Sequence, residues 1–383
     1  MGKIVFTTSD IKKMISKTNI GVEKNVLNPY SGLIELETTG ANVVTMKVSS
    51  IDYYMESYVP YVPVDGDSYI HATVNAETFV GIVSKLDSEE IEAYIDNNAL
   101  VFSTNKNQYV FPLVKIDGEI VTVEKLELDN DNLITAHVDS ASLVSIAEAN
   151  AQGLVDATFK QEIQQFIYVD CGGALTYTNN IYINDFGITS SGPFGILLNG
   201  AQAKLFRAFD KAEDINLYVE SPVDNTKSIR IKIESNNPKI SLSLATQNRE
   251  MVEKFPAAKI RELSTNINGI HAYISKSKLE KALNRLMVFD KKFGMDVMNY
   301  SKFIFGKHEV KLVSVKNHNF EIVPYELEVN TVEHEAVIRF ADMLNQLKAI
   351  DTQNIDISYG NGKAIIINSD IKQIIPELHP AKV

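Results

Sequence analysis

The sequence predicts an α+β protein made of six copies of a strand–helix–strands unit, paired into three similar domains. Three observations predict it. Alternating apolar and polar residues, the pattern of half-buried strands, fill runs such as "GLIELET", "NVVTMKVSS", "IRIKIES", "KISLSLAT" and "NIDISYGNGKAIIIN". Turn signals such as "DNN", "SNNP" and "GNG" separate many of these runs. Against this background stand six short helical patterns, starting near residues 9, 75, 139, 199, 275 and 338, roughly every 60 to 75 residues. A fixed period of that size marks a repeated supersecondary unit.

The helices follow in chain order, most of them opening at a capping residue. "SDIKKMISKT", from Ser9, sets Ile11, Met14 and Ile15 on one side; Lys13 and Lys17 share the opposite face, with Lys12 beside them. "NAETFVGIVSKL", from Asn75, buries Phe79, Ile82, Val83 and Leu86, and Lys85 lies away from them with Thr78 and Gly81. "DSASLVSIAEA", from Asp139, has no basic residue and carries Glu148. "NGAQAKLFRAFDKA", from Asn199, places Lys204, Arg207 and Lys211 on one narrow face opposite Leu205 and Phe209. "SKSKLEKALNRLM", from Ser275, has Leu279, Ala282, Leu283 and Leu286 as its core stripe, with Lys278, Lys281 and Arg285 on another side. "IRFADMLNQLKAI" is flanked by Arg339 and Lys348.

Phrases of one type, "DSEEIEAYI", "KAEDINLYV" and "DTQNIDISY", follow several of the helices. Polar, turn-rich stretches at 126–132 and 262–269 divide the chain into expected domains 1–128, 129–265 and 266–383. A chain of 383 residues accommodates two or three domains at about 120–130 residues each.

The basic stripes are notable because the chain is acidic: 49 Asp and Glu against 37 Lys and Arg, a formal net charge of −12. Like charges at i, i+3 and i+7 repel and cost helix stability. A solvated face explains one such helix. Five of six agreeing in sign inside an acidic protein point instead to a polyanion facing them.

Other chemistry is missing. His271, His308, His318 and His334 are scattered, and "HEA" is not a metalloprotease motif. Cys171, in "DCGGAL", lacks a CxxC partner and reads as a buried, inert thiol. "SSGPFG" and "GNGK" read as turns, not phosphate loops. No cofactor or metal is expected, and no enzyme. A single cysteine fits a reducing compartment, hence the cytoplasm. The opening "MGKIVFTTSDIKK" is not a signal peptide and no run reaches the ~20 apolar residues of a membrane span, so no membrane partner is expected.

With three domains, two helices in each and antiparallel strands elsewhere, the chain resembles the bacterial β-type DNA polymerase sliding clamp along nearly its whole length. The passages that carry the resemblance are "HATVNAETFVGIVSKLDSEEIEAYIDNNALVFSTNKNQYVFPL", "GIHAYISKSKLEKALNRL" and the C-terminal "IIPEL". The resemblance implies a head-to-tail homodimer closed into a ring, sheets outside and helices lining the hole. Such a ring encircles double-stranded DNA without sequence specificity and tethers the replicative polymerase for processive synthesis. The polymerase and a clamp loader would bind through short peptide motifs. The DNA-facing set is then Lys12, Lys13, Lys17, Lys85, Lys204, Arg207, Lys211, Lys278, Lys281, Arg285, Arg339 and Lys348.

The resemblance also implies a partner-peptide pocket. "TNNIYI" offers Thr178, Asn180, Ile181 and Ile183; "FPAAKIREL" offers Pro256 and Ile260; "IIPEL" offers Ile375, Pro376 and Leu378; Ile163 and Phe166 line the floor. The chain departs from the family where a Gly–His pair gives way to Asn180–Ile181 and a Met to Glu377, and it runs on with "HPAKV". The dimer contact falls on Tyr109 and Phe111 of "QYVFPLV" and on Val288 and Phe289 of "LMVFDKK". For the apolar residues of pocket and dimer contact, ordinary core packing is the other reading. The divergence fits a bacteriophage origin. The rival from another class is a β-rich virion or tail structural protein built by domain duplication, which explains repeats and acidity but not the helix-face lysines.

Overall fold

The structure, a computed structural model, describes residues 2–23, 31–40, 42–64, 68–129, 132–155, 161–178, 181–220, 222, 224–265, 270–291, 300–314, 318–327, 332–348, 350, 352–360, 364–369 and 372–377, with the side chains of 155, 289–291 and 300 outside that set. Its α-helices are α1 (Thr8–Thr18), α2 (Ala76–Val83), α3 (Ser140–Ser145), α4 (Ala151–Val155), α5 (Gly200–Lys204), α6 (Arg249–Lys254), α7 (Ala257–Thr265), α8 (Lys276–Lys291) and α9 (Phe340–Lys348). A π-helical turn, Ile146–Asn150, joins α3 to α4, and a 3₁₀ segment, Leu205–Phe209, continues α5. All six predicted helical patterns are helical; α4, α6 and α7 were not foreseen.

Side-chain caps start α2 and α3 at Asn75 and Asp139, where the sequence places them, whereas α1 is capped two residues before the expected Ser9, at Thr7. The Asn75 amide oxygen accepts the Thr78 N–H at 3.0 Å, and the Thr7 hydroxyl accepts that of Asp10 at 3.3 Å. At α3 the Asp139 carboxylate accepts both the N–H and the hydroxyl of Ser142, at 2.7 and 2.6 Å. Burial pushes this carboxyl up, but those hydrogen bonds outweigh it and hold it below its ordinary value. Asp139→Ala should therefore cost about 1 kcal/mol. Since the folded value lies below the unfolded one, the contribution is present above about pH 4 and is lost as pH falls through the folded value. Urea unfolding of both proteins checks it: a smaller gap at pH 3 than at pH 7 is expected, and equal midpoints at pH 7 would refute the cap.

Strand pairing is antiparallel throughout the described sheets. A five-stranded sheet runs in the order Val62–Pro63, Ile4–Thr7, Glu90–Asp96, Ala99–Ser103, Gln108–Pro112. A nine-stranded sheet runs from Thr189–Ser190 through Leu133–Val138, Ile215–Glu220, Ser228–Asn236, Lys239–Asn248, Tyr53–Pro60, Val43–Ser49 and Leu33–Thr39 to His71–Asn75. An eight-stranded sheet runs from Gly195–Asn199 through Phe166–Asp170, Gly173–Tyr177, Ile181–Asp185, Lys372–Pro376, Ala364–Asn368 and Asn354–Tyr359 to Ile270–Ser275. A four-stranded sheet runs Phe320–Pro324, Glu309–Ser314, Tyr300–Phe305, His334–Arg339, and a two-stranded ribbon pairs Lys115–Ile116 with Glu119–Ile120.

The chain divides into two compact units, 1–144 with 189–194 and 204–249, and 145–188 with 195–203 and 250–383. The expected middle domain, 129–265, is shared between them. Hydrogen bonding accounts for this: Lys239–Asn248 pairs with Tyr53–Pro60 in the first unit, and Ile181–Asp185 with Lys372–Pro376 in the second. The first unit has an aromatic core in which Phe79 meets Phe102 and Phe111 edge-on, at 5.4 and 5.1 Å between ring centres. In the second unit, successive residues of Ala364–Asn368 enter different cores: Ile365 and Ile367 pack with α8 and α9, Ala364 and Ile366 with Phe255 and Ile260. Both faces of that strand are covered, which is why "AIII" is apolar without alternation. Among the described residues no helix is long and apolar enough to cross a membrane.

Candidate nucleic-acid interface

In the first unit α1 buries Thr8, Ile11, Met14, Ile15 and Thr18. Its far side leaves Lys13 exposed and Lys12 and Lys17 half-buried. The 3₁₀ segment Leu205–Phe209 packs against α1, and the Lys17 ammonium donates to the Asp210 carbonyl at 2.8 Å. Burial lowers the Lys17 pKa; Asp210 opposes that, and Lys13 and Lys211 add to it. Cations from two distant stretches of sequence thus lie within electrostatic reach of one another. Lys204 and Arg207 are exposed, and the three-residue period of the 3₁₀ turn aligns them. Lys211 is not on a helix: its φ is 57°, and a turn rather than a helical stripe brings it to Lys17. Lys85, which the sequence places on a helix, lies beyond it, because α2 ends at Val83; it is exposed beside Asp87, Glu89, Glu90 and Lys106.

In the second unit α8 buries Leu279, Ala282, Leu283 and Leu286 as predicted, with Lys278, Lys281 and Arg285 exposed. Two of those three are engaged. Arg285 grips Glu321 through a fork, Nε to Oε1 and Nη2 to Oε2, both at 2.7 Å. The Lys278 ammonium lies 2.7 Å from Glu326. The Arg285 hydrogen bonds hold the Glu321 carboxyl below its ordinary value. Arg339 ends a strand rather than starting α9 and pairs with Asp342 at 2.8 Å. Lys348 closes α9, exposed, with a 3.1 Å hydrogen bond to Asn345. The carboxylates that answer Arg285 and Lys278 are 36 and 48 residues away in sequence, so no local pattern announces them.

The predicted pocket residues are mostly interior. Phe166, Ile181, Ile183 and Ile260 are buried in one apolar cluster with Leu175, Leu197, Phe255, Ile366 and Ile374, and Ile163 packs against it. Thr178 is buried, Pro256 half-buried and Pro376 exposed. Ile375 is a correction: it enters the opposite core with α8 and α9, and its neighbour Ile374 faces the cluster, because successive strand residues point to opposite sides. Asn180 and Leu378 lie outside the described residues. Sequence reasoning missed the aromatic edge of this cluster. Tyr168 stacks on Phe255 at 5.0 Å with the rings 11° apart, and Tyr177 meets Phe255 edge-on at 6.5 Å. Burial and the nearby Asp170 push the Tyr168 hydroxyl up to about 12, so it is neutral at ordinary pH. Arg261 fixes Asp170 beside it by a fork at 2.6 and 2.7 Å.

The edge strand Gln108–Pro112 brings a second correction. Phe111 is 1% exposed and sits in the aromatic core against Phe79 and Phe102. Tyr109 is half-buried, and Val110, 56% exposed, is the outward apolar residue. Val288, on α8, is 61% exposed, and the Phe289 side chain lies outside the described set. Among the described residues no group of three or more His, Cys, Asp or Glu side chains is placed to hold a metal ion.

No family model matches the chain, and no curated protein sequence matches it. Solved structures do. The β subunit of DNA polymerase III from Thermotoga maritima superimposes with a TM-score of 0.75 at 16% identity, over 99% of this chain and 100% of that one. The β subunit from Streptococcus pyogenes gives 0.76 at 14% identity, over 98% and 100%. The Helicobacter pylori β clamp bound to a DNA ligase peptide gives 0.69 at 14%, over 98% and 100%. The chain therefore has, along its whole length, the α+β fold of the bacterial β clamp, at a divergence that leaves little sequence in common.

Proposed function

We propose that the chain is a DNA sliding clamp. Two copies close head to tail into a ring of six domains, three per chain with bounds near 128 and 265, and the ring tethers a replicative DNA polymerase for processive synthesis. The observation that carries the reading is the full-length fold likeness to β clamps. A cluster of cations supports it: Lys13 and Lys17 of α1 and Lys211 of a turn gather on one surface of a chain whose net charge is −12. Lys and Arg neutralise phosphates whatever the base sequence. The acidic remainder keeps DNA from adhering elsewhere, and topology rather than affinity provides retention. The role has no catalytic step, its partners are duplex DNA, the polymerase and a clamp loader, and its place is the cytoplasm of a bacterium or of a phage-infected host.

The two copies join through strand edges. Gln108–Pro112 ends its sheet, as does Phe320–Pro324, and an uncovered edge calls for a partner strand. Val110, Phe320 and Ile322 supply exposed apolar side chains on these strands, and Val288 one on α8.

Retention on circular DNA tests the function. The protein should co-elute with nicked circular plasmid in gel filtration and be released when the plasmid is linearised. Equal behaviour on circles and linear DNA would overturn the clamp reading. Lys13→Glu with Lys211→Glu should weaken binding to short duplex and flatten its log–log salt dependence by about 1.8, at ~0.9 per phosphate. Stability should stay within about 0.5 kcal/mol, as for other exposed positions.

A further inference from the structure

The two units present their cations differently. In the first, no described carboxylate forms an ion pair with Lys13 or Lys211, and Lys17 donates to a backbone carbonyl. On α8, Arg285 is forked to Glu321 and Lys278 is paired with Glu326. Lys281, between them on the exposed face, has no ion-pair partner among the described residues. Both acids come from the strand Phe320–Pro324 or just beyond it, and that strand packs on α8. Glu321 points the same way as buried Val323, toward the helix, while Phe320 and Ile322 point outward.

We propose, resting on the clamp reading, that Glu321 and Glu326 withhold Arg285 and Lys278 from the duplex, so that Lys281 is the cation that α8 offers to DNA. To reach a phosphate, Arg285 would give up two charge-assisted bonds of 2.7 Å and gain an equivalent pair. The exchange would also leave a bare carboxylate facing the polyanion. One carboxylate traded for one phosphate releases nothing; a bare lysine that neutralises a phosphate releases a counterion. Three cations and two carboxylates leave the stripe with a formal charge of +1. A protein held on DNA by its topology gains from this, since each withheld contact removes a source of friction.

Equilibrium binding of the full chain to a short linear duplex, by fluorescence anisotropy between about 50 and 200 mM salt, tests the proposal. Glu321→Gln with Glu326→Gln removes both charges and keeps the side-chain shapes. Binding should tighten roughly tenfold or more, and the log–log slope should steepen by about 1.8, two phosphates' worth. A second pair covers the case where that variant folds poorly. Lys278→Gln with Arg285→Gln should leave the wild-type slope almost unchanged, and Lys281→Gln should lower it by about 0.9. Unaltered slope and affinity in the Gln variant, or a full loss of about 1.8 on removing Lys278 and Arg285, overturns the withholding. In either case weaker binding by Lys13→Glu with Lys211→Glu would leave the clamp reading standing. A wild-type chain with no salt-dependent binding would remove both.

Discussion

Val110→Asp should leave the chain folded and convert a dimer into monomers, whereas Phe111→Ala, one residue further on, should unfold it. The two side chains share the edge strand Gln108–Pro112 and point in opposite directions. Val110 is exposed, and a carboxylate there is well solvated in the monomer. In the proposed dimer it would be buried against apolar side chains of the other copy, at a cost of ~2 kcal/mol or more, about thirtyfold in affinity. Phe111 instead fills the centre of the first unit's core. Its ring lies 5.1 Å from that of Phe79 and 5.6 Å from that of Phe102. Truncation there leaves a cavity costing about 3–5 kcal/mol, a large part of the stability of any domain. Sedimentation velocity measures the first effect and urea unfolding the second. If Val110→Asp sediments as the wild type does, this strand is not the joint.

That contrast also marks the limit of what was legible in the sequence. Period-two alternation in "QYVFP" separates Tyr109 and Phe111 from Val110 with certainty, but does not say which set faces the core. The larger aromatic residue could serve a core or an interface equally well; packing against Phe79, an α2 residue, decides it. "QIIP" poses the same problem, since Ile374 and Ile375 are identical in kind and both buried, each in a different core. Helices were legible because caps and a 3.6-residue stripe are local. The departures from regular geometry were not. The π turn after Ser145 and the 3₁₀ turn after Lys204 carry ordinary helix formers, and tertiary packing sets their winding. Least legible were the ionic partners. A helix shows its own charges, but not that Glu321 and Glu326 will fold onto them.

The last expectation concerns the partner site. Met251→Asp should weaken binding of a peptide from the cognate polymerase at least tenfold while leaving the chain folded; Ile260→Ala should destabilise it instead. Deletion from residue 375 onward is a poor test, because it removes Ile375 from a core and shortens the strand Lys372–Pro376. Rim and floor of the apolar cluster have to be probed separately. Ile183 and Ile260 are floor, wholly buried, and losing either to Ala costs about 2–5 kcal/mol whether or not a peptide ever binds. Met251, Ile163 and Tyr177 are only partly buried and pack on the same cluster. The cluster also holds the stacked Tyr168–Phe255 pair, which Tyr177 meets edge-on, so an apolar side chain of a partner laid there would meet aromatic and thioether surface. Flexible Met and rigid Tyr together suit a groove that accepts several peptides of one apolar type. A carboxylate at Met251 would be desolvated by any such peptide, which should cost at least tenfold in affinity. Calorimetry of the folded variant decides it: an unchanged Kd would mean that partners bind this chain at some other surface.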